Sequence, residues 1–169
     1  MLSEGATAPD FQLPGTDGGL DFETYRLSEH ADDGAVVLAF YPFDFSPVCT
    51  RELCDFRDAE WFTVADDVDV FGISRDACYA HARFIDDHHL TFPLLSDVEG
   101  TATEAYDVKY DEFEGHPGVP RRAVFVVDAT RTVRYAWGSE DAYASPDLQD
   151  LADALAALPT VDADPGDLG

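Results

Sequence analysis

Three cysteines, Cys49, Cys54 and Cys78, are the residues of this chain best suited to covalent chemistry. Cys49 closes the run Pro42-x-x-x-Ser46-x-x-Cys49, and Cys54 follows shortly after it. A cysteine acts as nucleophile or metal ligand in its thiolate form, and a free thiol of pKa ~8.5 is only slightly ionised at neutral pH. The local sequence is expected to favour the thiolate of Cys49. Ser46 is an N-cap by type and Pro47 suits a first helical position. Cys49 then falls in the first turn of a helix, where the N-terminus carries partial positive charge and unpaired N–H donors. An odd set of three cysteines is not the disulfide framework of a secreted domain, so the thiols are free, catalytic or metal-bound. A closed metal site is not indicated. No second cysteine pair accompanies Cys49 and Cys54, and His88 and His89, which adjoin Asp86 and Asp87, point in different directions on a helix. Cys78 shares an i, i+4, i+7 stripe with Ala82 and Ile85, the pattern of a core position.

For Cys49 to sit at a helix start, a strand must end just before Pro42. The unbroken apolar run Ala35-Val-Val-Leu-Ala-Phe-Tyr41 supplies it, and such a run fits a strand buried on both faces. The helix that follows is expected to reach about Phe62. A strand over Asp69–Ser74 leads into a helix from about Asp76 to His88. Phe92–Asp97 reads as a short strand or loop, Gly100–Tyr106 as a short helix and Glu114–Pro120 as a loop. Ala123–Asp128 and Thr132–Trp137 form an antiparallel hairpin, and Leu148–Leu158 has the apolar spacing of an amphipathic last helix. Ahead of all this, Gly5–Phe11 and the turn-rich Pro14-Gly-Thr-Asp-Gly-Gly19 suggest an N-terminal β-hairpin laid against the domain. The expected architecture is a single α/β domain over residues 1–160 with a central mixed β-sheet flanked by helices. Residues 161–169 form a frayed acidic tail.

The loop from Pro42 to Cys49 lies where an open α/β sheet places its site, at the carboxyl end of a strand and the start of a helix. Its pattern resembles the Pro-x-x-x-Thr/Ser-x-x-Cys signature of the peroxiredoxins. Phe40-Tyr-Pro42 and Cys49-Thr-Arg-Glu-Leu-Cys54 look like the peroxiredoxin Q, or bacterioferritin-comigratory-protein, branch. Ala8-Pro-Asp-Phe11, Gly72-Ile-Ser-Arg-Asp76, Phe92–Asp97 and Arg122–Asp128 resemble further family segments in family order.

The resemblance implies a thioredoxin-like fold and a thiol-dependent peroxidase for hydrogen peroxide and small organic hydroperoxides, with no metal, haem or flavin. By the same resemblance Cys49 is the peroxidatic cysteine and Arg122 the guanidinium beside it, permanently charged and able to bond both the sulfur and a peroxide oxygen. Ser46 holds the peroxide in line, caps the helix, or does both, and Pro42 closes over the sulfur as a rigid ring without a donor. Glu52 matches a family position that orients the arginine, with a solvated helix face as the other reading. Cys54 is the resolving cysteine, because Cys-x4-Cys is the pattern of many relatives, and Cys78 is either a core thiol or an alternative resolving one. An intact helix separates Cα atoms five residues apart by about 8.7 Å, beyond the ~7 Å limit of a disulfide. The turn from Cys49 to Cys54 must therefore unwind in each cycle, exposing a disulfide to a thioredoxin-like dithiol protein.

Composition bounds the alternatives. Among 169 residues there are 35 Asp plus Glu against 10 Lys plus Arg, a formal net charge of −25, and Lys109 is the only lysine. Such a surface is unsuited to a nucleic-acid backbone or an anionic membrane, whereas 46% hydrophobic and 12% aromatic residues are enough for a core. The spread of acid along the whole chain and the scarcity of lysine read as adaptation to high salt, which screens carboxylate repulsion. No signal-like start or spanning apolar segment is present, so a cytoplasmic setting is expected. The oligomeric expectation is a monomer or weak homodimer. The competing function classes are a non-catalytic acidic binding module on the same scaffold and a disulfide reductase, whose usual Cys-x-x-Cys is missing.

Overall fold

The computed structural model describes residues 1–59 and 67–158. Strand β3 (Ala35–Phe40) is the organising element. It pairs in parallel with β4 (Val68–Ser74) and antiparallel with β8 (Arg122–Val127), so both its edges are covered. Alternation along β3 then divides the core. Val36, Leu38 and Phe40 enter one apolar cluster with Leu27, Tyr106 and Phe125, while Val37, Ala39 and Tyr41 enter a second with Leu53, Phe56 and Phe84. The unbroken apolar run is thus two half-runs facing opposite layers.

Among the described residues the sheet has seven strands in the order β2-β1-β5-β4-β3-β8-β9. Its outer members are β1 (Gln12–Thr16), β2 (Glu23–Arg26), β5 (Leu94–Ser96) and β9 (Val133–Ser139). Parallel β3/β4 and β4/β5 pairs beside antiparallel β1/β2, β1/β5, β3/β8 and β8/β9 pairs make it mixed, as expected. Helices α1 (Leu27–Asp32) and α4 (Thr101–Ala105) supply residues to the first cluster. Helices α2 (Pro47–Asp58), α3 (Cys78–His88) and α5 (Leu148–Ala156) supply the second.

Several expectations need correction. Pro14, Gly15 and Thr16 are not the hairpin turn but part of β1. Gly15 is there for close packing, since a Cβ on it would stand 2.5 Å from Leu95 Cδ2. Helix α1, six residues long, is too short to show helical periodicity in the sequence. Asp76 lies outside α3, whose first residue is Cys78. Glu114–Pro120 is not all loop, because β6 (Glu112–Phe113) pairs with β7 (His116–Pro117) across Glu114 and Gly115, with φ of 51° and 81°. That is the positive-φ pair of a two-residue hairpin turn, with glutamate where asparagine or aspartate is usual. Helix α2 ends at Asp58 and Ala59 is extended. The expected continuation from 60 to Phe62, like the tail from 161 to 169, lies outside the described residues. No helix among the described residues is long and apolar enough to cross a membrane.

Candidate active site

The antiparallel register of β3 and β8 sets Phe40 opposite Ala123, so Arg122, the first residue of β8, arrives beside the carboxyl end of β3. There the chain leaves the sheet through Tyr41 to Ser46 and enters α2. Ser46 is extended, with φ −61° and ψ 137°, and its hydroxyl accepts from the Cys49 N–H at 3.4 Å. Pro47 occupies the first turn, where its missing N–H costs nothing. Cys49 therefore lies in the first turn of α2, fully buried.

Three donors converge on its sulfur. Arg122 Nη2 donates to Cys49 Sγ at 2.9 Å, and the Ser46 hydroxyl and the Phe43 backbone N–H are placed to favour the thiolate by hydrogen bonding. The guanidinium is itself fixed on two other sides, by Nε donating to the Ala142 carbonyl at 2.7 Å and Nη1 donating to Glu52 Oε2. Arg122 and Glu52 are only 1% and 3% exposed, which separates this pair from a surface salt bridge. Glu52 is three residues after Cys49, on the same face of α2, which is how one guanidinium reaches both.

Burial pushes the Cys49 thiol above its ordinary value. The Arg122 charge is the largest influence pulling it down, followed by the Ser46 and Phe43 hydrogen bonds and that of Arg122 itself, and burial prevails. In the closed pocket the arginine moderates the cost of a thiolate without removing it. Donors fixed around a buried sulfur can also stabilise charge that develops on an atom bonded to it, and such stabilisation is worth more where water is excluded. Burial likewise pushes Glu52 up to about 7 against the opposing pull of Arg122. Its second oxygen, Oε1, is buried without a hydrogen-bond partner among the described residues.

Cys54 is half-buried on another face of α2, against the second apolar cluster, and Cys49, Cys54 and Cys78 are all free thiols. Cys78 is buried at the start of α3, and burial raises its thiol while a hydrogen bond with Ser96 lowers it. Pro42 is buried next to Tyr41. Arg121 is the more exposed of the two arginines, its Nη1 3.6 Å from Glu140 Oε1. No cluster of metal-ligating groups occurs among the described residues.

The residues that hold the loop form no motif in the sequence. The Tyr41 hydroxyl donates to Asp44 Oδ1 at 2.6 Å, and Asp44 Oδ2 lies 2.7 Å from His81 Nδ1. Gly72 of β4 leaves room for the Tyr41 ring, since a Cβ there would stand 3.2 Å from Tyr41 Cε1. Phe45 has φ of 67°, a left-handed conformation that is an outlier for an aromatic residue and needs firm surroundings to persist. The Phe43 ring lies 4.6 Å from that of His116 and 6.3 Å from that of Phe113, so the β6–β7 hairpin abuts the loop. The available signal was His81, a polar side chain on the same helical stripe as Cys78, Ala82 and Ile85.

The profile of the AhpC/TSA family matches residues 5–136. Peroxiredoxin Bcp of Bacillus subtilis is 36% identical over 136 residues, covering 79% of this chain and 83% of the relative. A chloroplastic peroxiredoxin Q of Triticum aestivum is 34% identical over 139 residues, 82% of this chain and 60% of the relative. The crystal structure of peroxidoxin BcpB from Mycobacterium tuberculosis superposes with a TM-score of 0.78 at 34% identity, over 95% of this chain and all of that one.

Proposed function

Because this chain belongs to the AhpC/TSA family of peroxiredoxins and is a thiol-dependent peroxidase, we propose that Cys49 is the thiol that attacks the peroxide. The reading rests on one observation above others, the Arg122 guanidinium held 2.9 Å from the Cys49 sulfur in a fully buried setting. The Cys49 thiolate attacks one oxygen of the O–O bond, that bond breaks, and the remaining oxygen leaves as hydroxide or alkoxide and takes a proton. Arg122 and Ser46 stabilise the charge on the departing oxygen, Pro42 limits water, and Glu52 orients Arg122.

Cys49 is left as a sulfenic acid, which condenses with the Cys54 thiol to a disulfide and releases water. Because α2 is intact between the two, this step requires the segment from Cys49 to Cys54 to unwind. A dithiol protein of the thioredoxin type then reduces the disulfide by exchange. Hydrogen peroxide and small organic hydroperoxides as substrates, a reducing cytoplasm, and a monomeric or weakly dimeric enzyme belong to the same reading. The high-salt reading has support in where the carboxylates lie: among the described residues only Asp44, Glu52, Asp97 and Asp128 are buried acids.

The test is peroxide consumption driven by dithiothreitol in molar salt. Cys49→Ser is expected to abolish it, and equal rates in the variant and the parent chain would overturn the assignment. Cys54→Ser is expected to consume one equivalent of peroxide and then stall. Peptide mapping of the parent after one equivalent is expected to show a Cys49–Cys54 link within one chain, and a Cys49–Cys78 link would make Cys78 the resolving thiol.

A further inference from the structure

We propose that Asp44 is a positioning residue of the peroxidase reaction. Its buried carboxyl group, shared between Tyr41 and His81, holds residues 42–46 so that the Phe43 N–H and the Ser46 hydroxyl stay aimed at the Cys49 sulfur, including while α2 unwinds. The inference rests on the assignment of Cys49 as the reacting thiol.

The anchor is complete on every side. The side chains of Asp44 and His81 are 1% and 0% exposed. Asp44 Oδ1 accepts from the Tyr41 hydroxyl at 2.6 Å, and Oδ2 meets His81 Nδ1 at 2.7 Å. His81 Nε2 lies 3.0 Å from the Leu95 carbonyl oxygen. A carbonyl only accepts, so Nε2 carries a hydrogen, and the Nδ1 to Oδ2 contact then needs one further proton between ring and carboxyl group. The backbone is tied as well. The Asp44 N–H donates to Asp76 Oδ2 at 3.0 Å, and the same oxygen accepts the Ser74 hydroxyl at 2.6 Å. The Tyr41 phenol is held well above its usual value by burial and then by the Asp44 charge, which keeps it a donor.

Every one of these anchors lies outside α2. Tyr41 follows β3, Ser74 ends β4, Asp76 precedes α3, His81 is on α3 and Leu95 is in β5. Two of the three donors to sulfur, from Phe43 and Ser46, flank Asp44 in sequence, with the left-handed Phe45 between. Unwinding of Cys49 to Cys54 thus leaves the loop in place as the surface on which the first turn reforms. Asp44 touches neither sulfur nor peroxide and acts through its neighbours.

The experiment compares Asp44→Ala, Asp44→Asn and Tyr41→Phe with the parent chain in molar salt. It reads the second-order rate constant for peroxide, the pH profile of Cys49 alkylation and the unfolding midpoint. Asp44→Ala is expected to lower the peroxide rate constant about 30-fold or more and move the alkylation profile to higher pH, because both loop donors to the thiolate lose their aim. Asparagine has the same shape, accepts from Tyr41 and donates to a neutral His81, so Asp44→Asn is expected to recover most of the rate. Tyr41→Phe removes one hydroxyl from an otherwise intact core and is expected to lose about threefold to tenfold.

A fall in the unfolding midpoint of Asp44→Ala with the peroxide rate and alkylation profile unmoved would overturn the proposal. So would an Asp44→Asn variant as slow as Asp44→Ala. If Asp44→Ala does not fold, Tyr41→Phe decides, and a parental rate there overturns the proposal. Cys49→Ser separates the two levels: activity in that variant means the assignment of Cys49 fails, whereas an inactive Cys49→Ser beside a normal Asp44→Ala means that only the positioning role fails.

Discussion

Two buried polar clusters flank the loop between β3 and α2, and they are built differently. The Cys49–Arg122–Glu52 cluster takes two of its three members from α2 and leaves Glu52 Oε1 without a hydrogen-bond partner among the described residues. The Tyr41–Asp44–His81 cluster takes none from α2, and the hydroxyl, both carboxyl oxygens and both ring nitrogens have partners. A buried polar group left unsatisfied costs about 1–3 kcal/mol, so the first cluster is the one more readily given up. In the proposed cycle, the half of the site that comes apart is the half held less completely, and the half that remains is anchored to the sheet and α3.

The difference between the two clusters is tested most strongly at Arg122. Replacing it with methionine removes a donor from the reacting centre and is expected to lower the peroxide rate constant by about 100-fold or more. The same change removes the largest influence pulling the Cys49 thiol down, so its alkylation profile should move to still higher pH. A peroxide rate within a few-fold of the parent would show that the Asp44 side carries the chemistry alone.

Glu52→Gln probes the less completely bonded cluster through pH. The folded value of Glu52, about 7, lies above its ordinary 4.5, so the folded state holds this proton more tightly than the unfolded chain. The stability it contributes is fully present below about pH 4.5 and is lost as pH rises through about 7. Relative to the glutamine variant, the parent should lose on the order of 1–3 kcal/mol between those limits, as read from urea midpoints at fixed salt. Parallel pH dependences in the two proteins would remove the pair as the weaker cluster.

Ser46→Ala has the smallest expected effect on the fold. Loss of an N-cap costs about 1 kcal/mol, which thermal unfolding would register as a drop of about 2–4 °C. Because Ser46 also bonds the sulfur, a rate loss beyond what capping explains is expected, and Ser46→Thr should restore both. Restoration of stability without rate would assign the hydroxyl to the cap alone.

The legible parts of the site were local. Ser46, Pro47 and Cys49 act within one helical turn, so their spacing in the chain is their arrangement in space. Arg122 is 73 residues from Cys49, and only the resemblance to a family pointed to it, because no pattern in the chain reveals the β3/β8 register. Asp44 and His81 are 37 residues apart. An aspartate between Phe43 and Phe45 in a proline-flanked loop carries the ordinary signal of a turn residue. A histidine on an apolar stripe says that a partner exists but not which one. The fold was legible where unbroken apolar runs marked strands, as in β3 and β8, and hidden where elements were two residues long, as in β6 and β7, or too short to show a helical period, as in α1.

Gly72 extends the influence of the loop anchor into the sheet. The residue is a blank in β4, and the Leu94 side chain and the Tyr41 ring close over the space it leaves, at 2.5 Å and 3.2 Å from where a Cβ would stand. A single added methyl group would press on that ring and on Leu94. The change would touch no reacting atom and leave every residue of the motif in place. It would be invisible to any inventory of active-site residues, yet its effect would pass from ring to hydroxyl to carboxyl group. The tolerance of this enzyme to substitution is therefore set partly by a side chain that does not exist.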